Sequence, residues 1–182
     1  ATAIQRVTVY DSTPPQLDVP SDLTVGATGV LTVLDPGNAT AYDTVSGTIT
    51  ALPDNSGPFT SGLHEITWTA TDAAGNSTSA VQYITVLPQV DFAIDQTVSE
   101  GSEVTVDVVL SGPAPAYPVV IPYRVSGSAD NPLDHDATDG AVVIDRGVTG
   151  SAVLRTVDDG VNGEAPNTVV FEMQTPENAV AG

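Results

Sequence analysis

The sequence contains no cysteine. That excludes disulfides, thiolate metal sites and thiol nucleophiles. Lysine is absent as well: the four basic side chains are Arg6, Arg124, Arg146 and Arg155. Set against 23 acidic residues, they leave a formal net charge of −19. Such a chain repels phosphate backbones and anionic lipid, so nucleic acid and membrane surfaces are poor partners. Long apolar runs are missing too. None approaches the roughly 18 residues of a membrane span, and no membrane insertion is expected of this segment. Histidine occurs twice, at His64 and His135. Neither stands in the context of a zinc site or a nucleophile elbow. The chain is therefore not expected to be an enzyme.

What remains is a strand-forming sequence. Its 182 residues are enough for one large domain or two small ones, and hydrophobic residues make up 41%. Apolar residues recur with a period of two in short runs broken by Gly, Pro, Asp and Asn. Val104, Val106, Val108 and Leu110 alternate with Glu103, Thr105 and Asp107. Ile66, Trp68 and Ala70 alternate with Glu65, Thr67 and Thr69. Val119, Ile121 and Tyr123 repeat the pattern, as do Val169, Phe171 and Met173. No stretch keeps an apolar face at helical spacing for three turns. The pattern predicts an all-β protein of antiparallel sandwiches.

A module boundary falls at Leu87-Pro88-Gln89-Val90, where one strand ends and an acidic segment begins. Ile4-Gln5-Arg6-Val7-Thr8-Val9 matches Val81-Gln82-Tyr83-Ile84-Thr85-Val86. Residues 1–10 thus read as a last strand, one that completes a neighbouring module; two Val/Thr-rich strands can also match by chance.

Residues 11–88 resemble the HYR (hyalin repeat) family. The similarity is carried by Asp11 with Pro14-Pro15, Pro20-Ser21-Asp22-Leu23, Ser61-Gly62-Leu63-His64, and Trp68-Thr69-Ala70-Thr71-Asp72-Ala73-Ala74-Gly75-Asn76. Residues 89–182 resemble the Calx-beta family through Val98-Ser99-Glu100-Gly101, Ser126-Gly127-Ser128-Ala129, Leu133-Asp134-His135 and Val157-Asp158-Asp159. Both resemblances imply immunoglobulin-like β-sandwiches in tandem. The second module looks short of its last strand. Placing residue 1 after residue 182 restores a Calx-beta-like ending, which implies strand complementation between units of an array; a cut boundary gives the same appearance.

The Calx-beta resemblance implies a calcium site built from Glu100, Asp134, Asp158, Asp159 and Glu164. In the array reading, Asp11 joins the acidic cluster of the preceding unit. Asp11, Asp72 and Asn76 can also share one end of the first module, where Asp72 and Asn76 are expected to hydrogen-bond their own turn. The implied function is a calcium-stabilised structural module pair of a repetitive extracellular protein, a spacer or adhesin on a bacterial surface. Its partners would be neighbouring modules or identical subunits. A module binding surface glycans, and an accessory module of a secreted hydrolase, are the alternatives.

Overall fold

A computed structural model describes residues 3–160 and 166–182. It is all-β, with 47% strand and no helix, as the period-two pattern predicts. The strands are β1 Gln16–Asp18, β2 Leu23–Gly26, β3 Thr40–Asp43, β4 Gly47–Thr50, β5 Leu52–Pro53, β6 Gly62–Thr71 and β7 Ser77–Leu87. There follow β8 Gln89–Phe92, β9 Glu103–Leu110, β10 Val119–Gly127, β11 Gly140–Ile144, β12 Thr149–Arg155, β13 Val169–Met173 and β14 Val180–Ala181. They order as four sheets: β1-β3-β4, β2-β7-β6-β5, β11-β10-β13 and β12-β9-β8-β14.

The chain divides into two compact units. One comprises Ala1–Leu23, Leu34–Pro58 and His64–Ile84; the other comprises Thr24–Val33, Phe59–Leu63 and Thr85–Gly182.

In the first unit, alternation along β6 buries Ile66, Trp68 and Ala70 and leaves Glu65 and Thr69 in solvent. Gln82 and Ile84 on β7 are buried with them. A buried glutamine must have its amide satisfied, or its desolvation is uncompensated. Gln82 meets that requirement from three sides. Its Oε1 accepts the Trp68 indole N–H at 3.0 Å, and its Nε2 donates to the Ser21 and Pro36 carbonyls at 2.9 and 3.0 Å. The amide thereby ties β6 and β7 to two loop segments.

In the second unit, β9 packs between β8 and β12 by antiparallel pairing, with Val104 opposite Leu154 and Val108 opposite Gly150. β14 runs parallel to β8, with Val180 opposite Gln89. On the other sheet, β10 sits between β11 and β13. The inner faces of the two sheets share one core of Val90, Val108, Leu110, Val119, Ile121, Val142 and Ile144. Residues 3–10 form no strand within the chain, and each of them is exposed.

Candidate metal centre

Two hairpin turns and a linker converge in the first unit. β3 ends at Asp43, where the chain turns into β4. The Asp43 carboxylate caps that turn: Oδ1 accepts the backbone N–H groups of Val45 and Ser46 at 2.8 and 2.7 Å. Gly47 closes the turn at φ 77°, a conformation that suits a residue without a Cβ. β6 ends just before Asp72, and the same device recurs. Asp72 Oδ1 accepts the N–H groups of Ala74 and Asn76 at 2.8 Å each, and Oδ2 accepts the Asn76 carboxamide at 2.8 Å. The two turns are linked, since the Ala73 N–H donates to Ser46 Oγ at 3.2 Å.

The linker is held against the second turn. Asn76 Nδ2 reaches the carbonyls of Asp11 and Thr13, both at 3.4 Å, and Thr78 Oγ1 donates to the Pro15 carbonyl at 2.7 Å. Asp11 is thereby brought to Asp43 and Asp72. One carboxylate oxygen from each of the three lies within 4.8 Å of the other two. Asp43 and Asp72 are buried, and Asp11 is half-buried.

The electrostatics are unbalanced. The hydrogen-bond donors to these carboxylates are backbone and carboxamide N–H groups, which carry no formal charge. Burial pushes the Asp72 carboxyl upward, but the hydrogen bonds from Asn76, Ala74 and Gly75 outweigh it and hold the group below its ordinary value. Asp72 is thus kept ionised beside two more acids. Asp11 Oδ2 is shielded from solvent and has no hydrogen-bond partner. A solvent-shielded carboxylate oxygen without a partner, on one of three clustered acids, is costly unless a cation completes it. A set of hard oxygen donors without histidine or cysteine suits calcium or magnesium, not zinc or copper. The residues present therefore fit a divalent cation.

The structure brings together part of what the sequence suggested here. Asp72 and Asn76 do bond within their own turn, as expected, and Asp11 lies beside them. Asp43 is not among the residues that the sequence singles out. Its signal in sequence is an Asp followed four residues later by Gly47, a common turn pattern, and nothing local points it toward Asp11.

The residues implied by the Calx-beta resemblance lie in the second unit. Three backbone stretches meet there: Thr156 Oγ1 donates to the Ser99 and Ser102 carbonyls at 3.0 and 3.2 Å, and the Val157 N–H donates to the Asp134 carbonyl at 2.8 Å. Glu100, Asp134 and Asp158 are thus carried by neighbouring segments. Two of these carboxylates accept hydrogen bonds. Asp134 Oδ2 accepts the Asp130 N–H at 2.8 Å and the Asn167 carboxamide at 3.3 Å; Asp158 Oδ1 accepts the Gly160 N–H at 2.9 Å. Among the described residues, Glu100, Asp134, Asp158 and Asp159 form no group of three converging carboxylates. Glu164 lies outside the described residues. His135 is buried, and its Nδ1 accepts the Ala137 N–H at 3.1 Å.

No family model matches the chain, and no curated protein matches it. A solved structure of CBM51-2 in complex with GlcNAc and INT domains, from Clostridium perfringens ZmpB, is similar over 82% of this chain and 45% of that one. The identity is 12% and the TM-score 0.31, so this chain spans less than half of that structure and the likeness carries no functional argument.

Proposed function

We propose that the chain is a structural module pair of an extracellular bacterial surface protein, two immunoglobulin-like sandwiches of HYR and Calx-beta type, stiffened by calcium. The observation that carries this reading is the convergence of Asp11, Asp43 and Asp72, together with a solvent-shielded, unpartnered oxygen on Asp11. Calcium takes six to eight oxygens and accepts carboxylates and carbonyls alike. Bound here, it would join a linker residue to the turns after β3 and β6. Without the ion, repulsion between like charges would oppose the hydrogen bonds that hold the linker. The linker would be fixed with the ion. Such a pair supplies reach and stiffness to an array, and its partners are neighbouring modules or identical subunits.

Calorimetric titration tests the placement. Calcium is expected to bind the wild type and to bind Asp11→Asn and Asp43→Asn at least about tenfold more weakly, a difference of about 1.4 kcal/mol. Asp134→Asn is expected to bind as the wild type does. Loss of binding in Asp134→Asn alone would move the ion to the second unit and overturn this assignment.

A further inference from the structure

Among the described residues, one edge strand of the second unit, β13, keeps its inward face only half-covered. β13 ends the sheet order β11-β10-β13 and has a single neighbour, β10. The opposite edge strand, β11, buries its inward residues Val142 and Ile144 to 2% exposure each. On β13 the inward residues Val169, Phe171 and Met173 all stay half-buried. Phe171 stacks in tilted contact with Tyr123 at 5.1 Å and edge-on to Phe92 at 6.5 Å, and both partners are themselves only partly covered. A core whose aromatic end lies open beside an unpaired strand edge lacks one strand's worth of cover.

Residues 3–10 have the complementary defect. They form no strand, yet Ile4, Val7, Val9 and Tyr10 are 84, 77, 87 and 83% exposed. The chain itself shows how such a sequence behaves when paired. In the matching stretch Val81–Val86, the alternate residues Gln82, Ile84 and Val86 are each 0% exposed. Gln5, Val7 and Val9 hold the same places. The five residues Gln5–Val9 equal the five of β13 in length. Charge agrees as well. The segment carries Arg6 and no acid in a chain with 23 acidic residues, and Glu172 projects from the solvent face of β13.

We propose that residues 3–10 of one copy of this chain add as an edge strand to β13 of a second copy. Gln5, Val7 and Val9 then cover Phe171 and Met173, and Arg6 joins the solvent face that bears Glu172. Backbone pairing supplies affinity and the alternate side chains supply register. Donor and acceptor are different surfaces, so the contact is head-to-tail and propagates into rings or filaments. This rests on the module-array reading above and names its partner as a second copy.

Sedimentation velocity of the full chain in millimolar calcium tests it. The wild type should grow in mass with concentration, and Val7→Asp/Val9→Asp should remain monomeric. The altered residues are exposed and outside any strand, and an unchanged unfolding transition confirms that the variant folds. A fluorescent peptide of residues 3–10 should bind that monomeric variant saturably and protect the amides of Val169–Met173 from hydrogen exchange. A wild type that stays monomeric, a variant that still associates, or a peptide that protects another edge or nothing would overturn the proposal. Failure of the calcium reading would show separately, as a wild-type unfolding transition that calcium leaves unmoved.

Discussion

Asp43, Asp72 and Asp11 each serve a local turn or linker before they serve a site, and this explains what sequence can and cannot reveal about them. Asp72 and Asn76 announce a turn by their spacing, and the turn is there. Asp11 and Asp43 were separated from Asp72 by chain lengths over which no local rule operates. The hydrogen bonds at Asp72 have a pH consequence. Its folded value is held below the ordinary 3.8, so the stability it contributes is fully present above that value and is lost as the pH falls through the lowered folded one. Acid titration of unfolding in EDTA between about pH 5 and about pH 2 should show this decline in the wild type and a shallower one in Asp72→Asn. Gln82 makes a second residue-level case. Gln82→Ala strands the buried Trp68 N–H and two carbonyls, and should cost the first unit about 1–3 kcal/mol in denaturant unfolding. Gln5→Ala, at the equivalent but exposed position, should cost the monomer nothing measurable.

At the scale of the strand, the period-two pattern was the legible part. It places Ile66, Trp68 and Ala70 inward on β6, and Val104, Val108 and Leu110 inward on β9, where the structure buries them. It places Val169, Phe171 and Met173 inward on β13 as well, but there burial is partial. Alternation says which way a side chain faces; only the neighbouring strand decides whether it is covered. For the same reason the strand expected at residues 1–10 is a statement about a partner, and residues 3–10 stay unpaired in the single chain. Glycine marks where β10 can approach its neighbour. Gly127, on β10, sits at φ 135°, and a Cβ there would collide with the Thr168 carbonyl. Gly127→Ala should therefore destabilise the β10–β13 pairing by about 2 kcal/mol or more, read as a lower unfolding midpoint for the second unit.

For the whole molecule, composition sets the expectations: no cysteine for thiol chemistry, a net charge of −19 that disfavours nucleic acid, and no long apolar run. The module boundary read near Pro88 is a point along the chain. The compact units are assembled from several segments, with Thr24–Val33 and Phe59–Leu63 grouped with Thr85–Gly182. Long-range pairing of this kind leaves no local mark in the sequence. The same holds for the candidate cation site: a net charge of −19 permits one, and only the fold gathers three of the acids. Thermal unfolding in EDTA, in millimolar calcium and in millimolar magnesium, for the wild type and Asp43→Asn, tests that gathering most directly. Binding to the folded state alone adds about 2.7 kcal/mol at one hundred times the dissociation constant. A calcium-specific rise in the first unit's transition, abolished by Asp43→Asn, is the expected result. An unmoved wild-type transition, or an equal rise in Asp43→Asn, would contradict it.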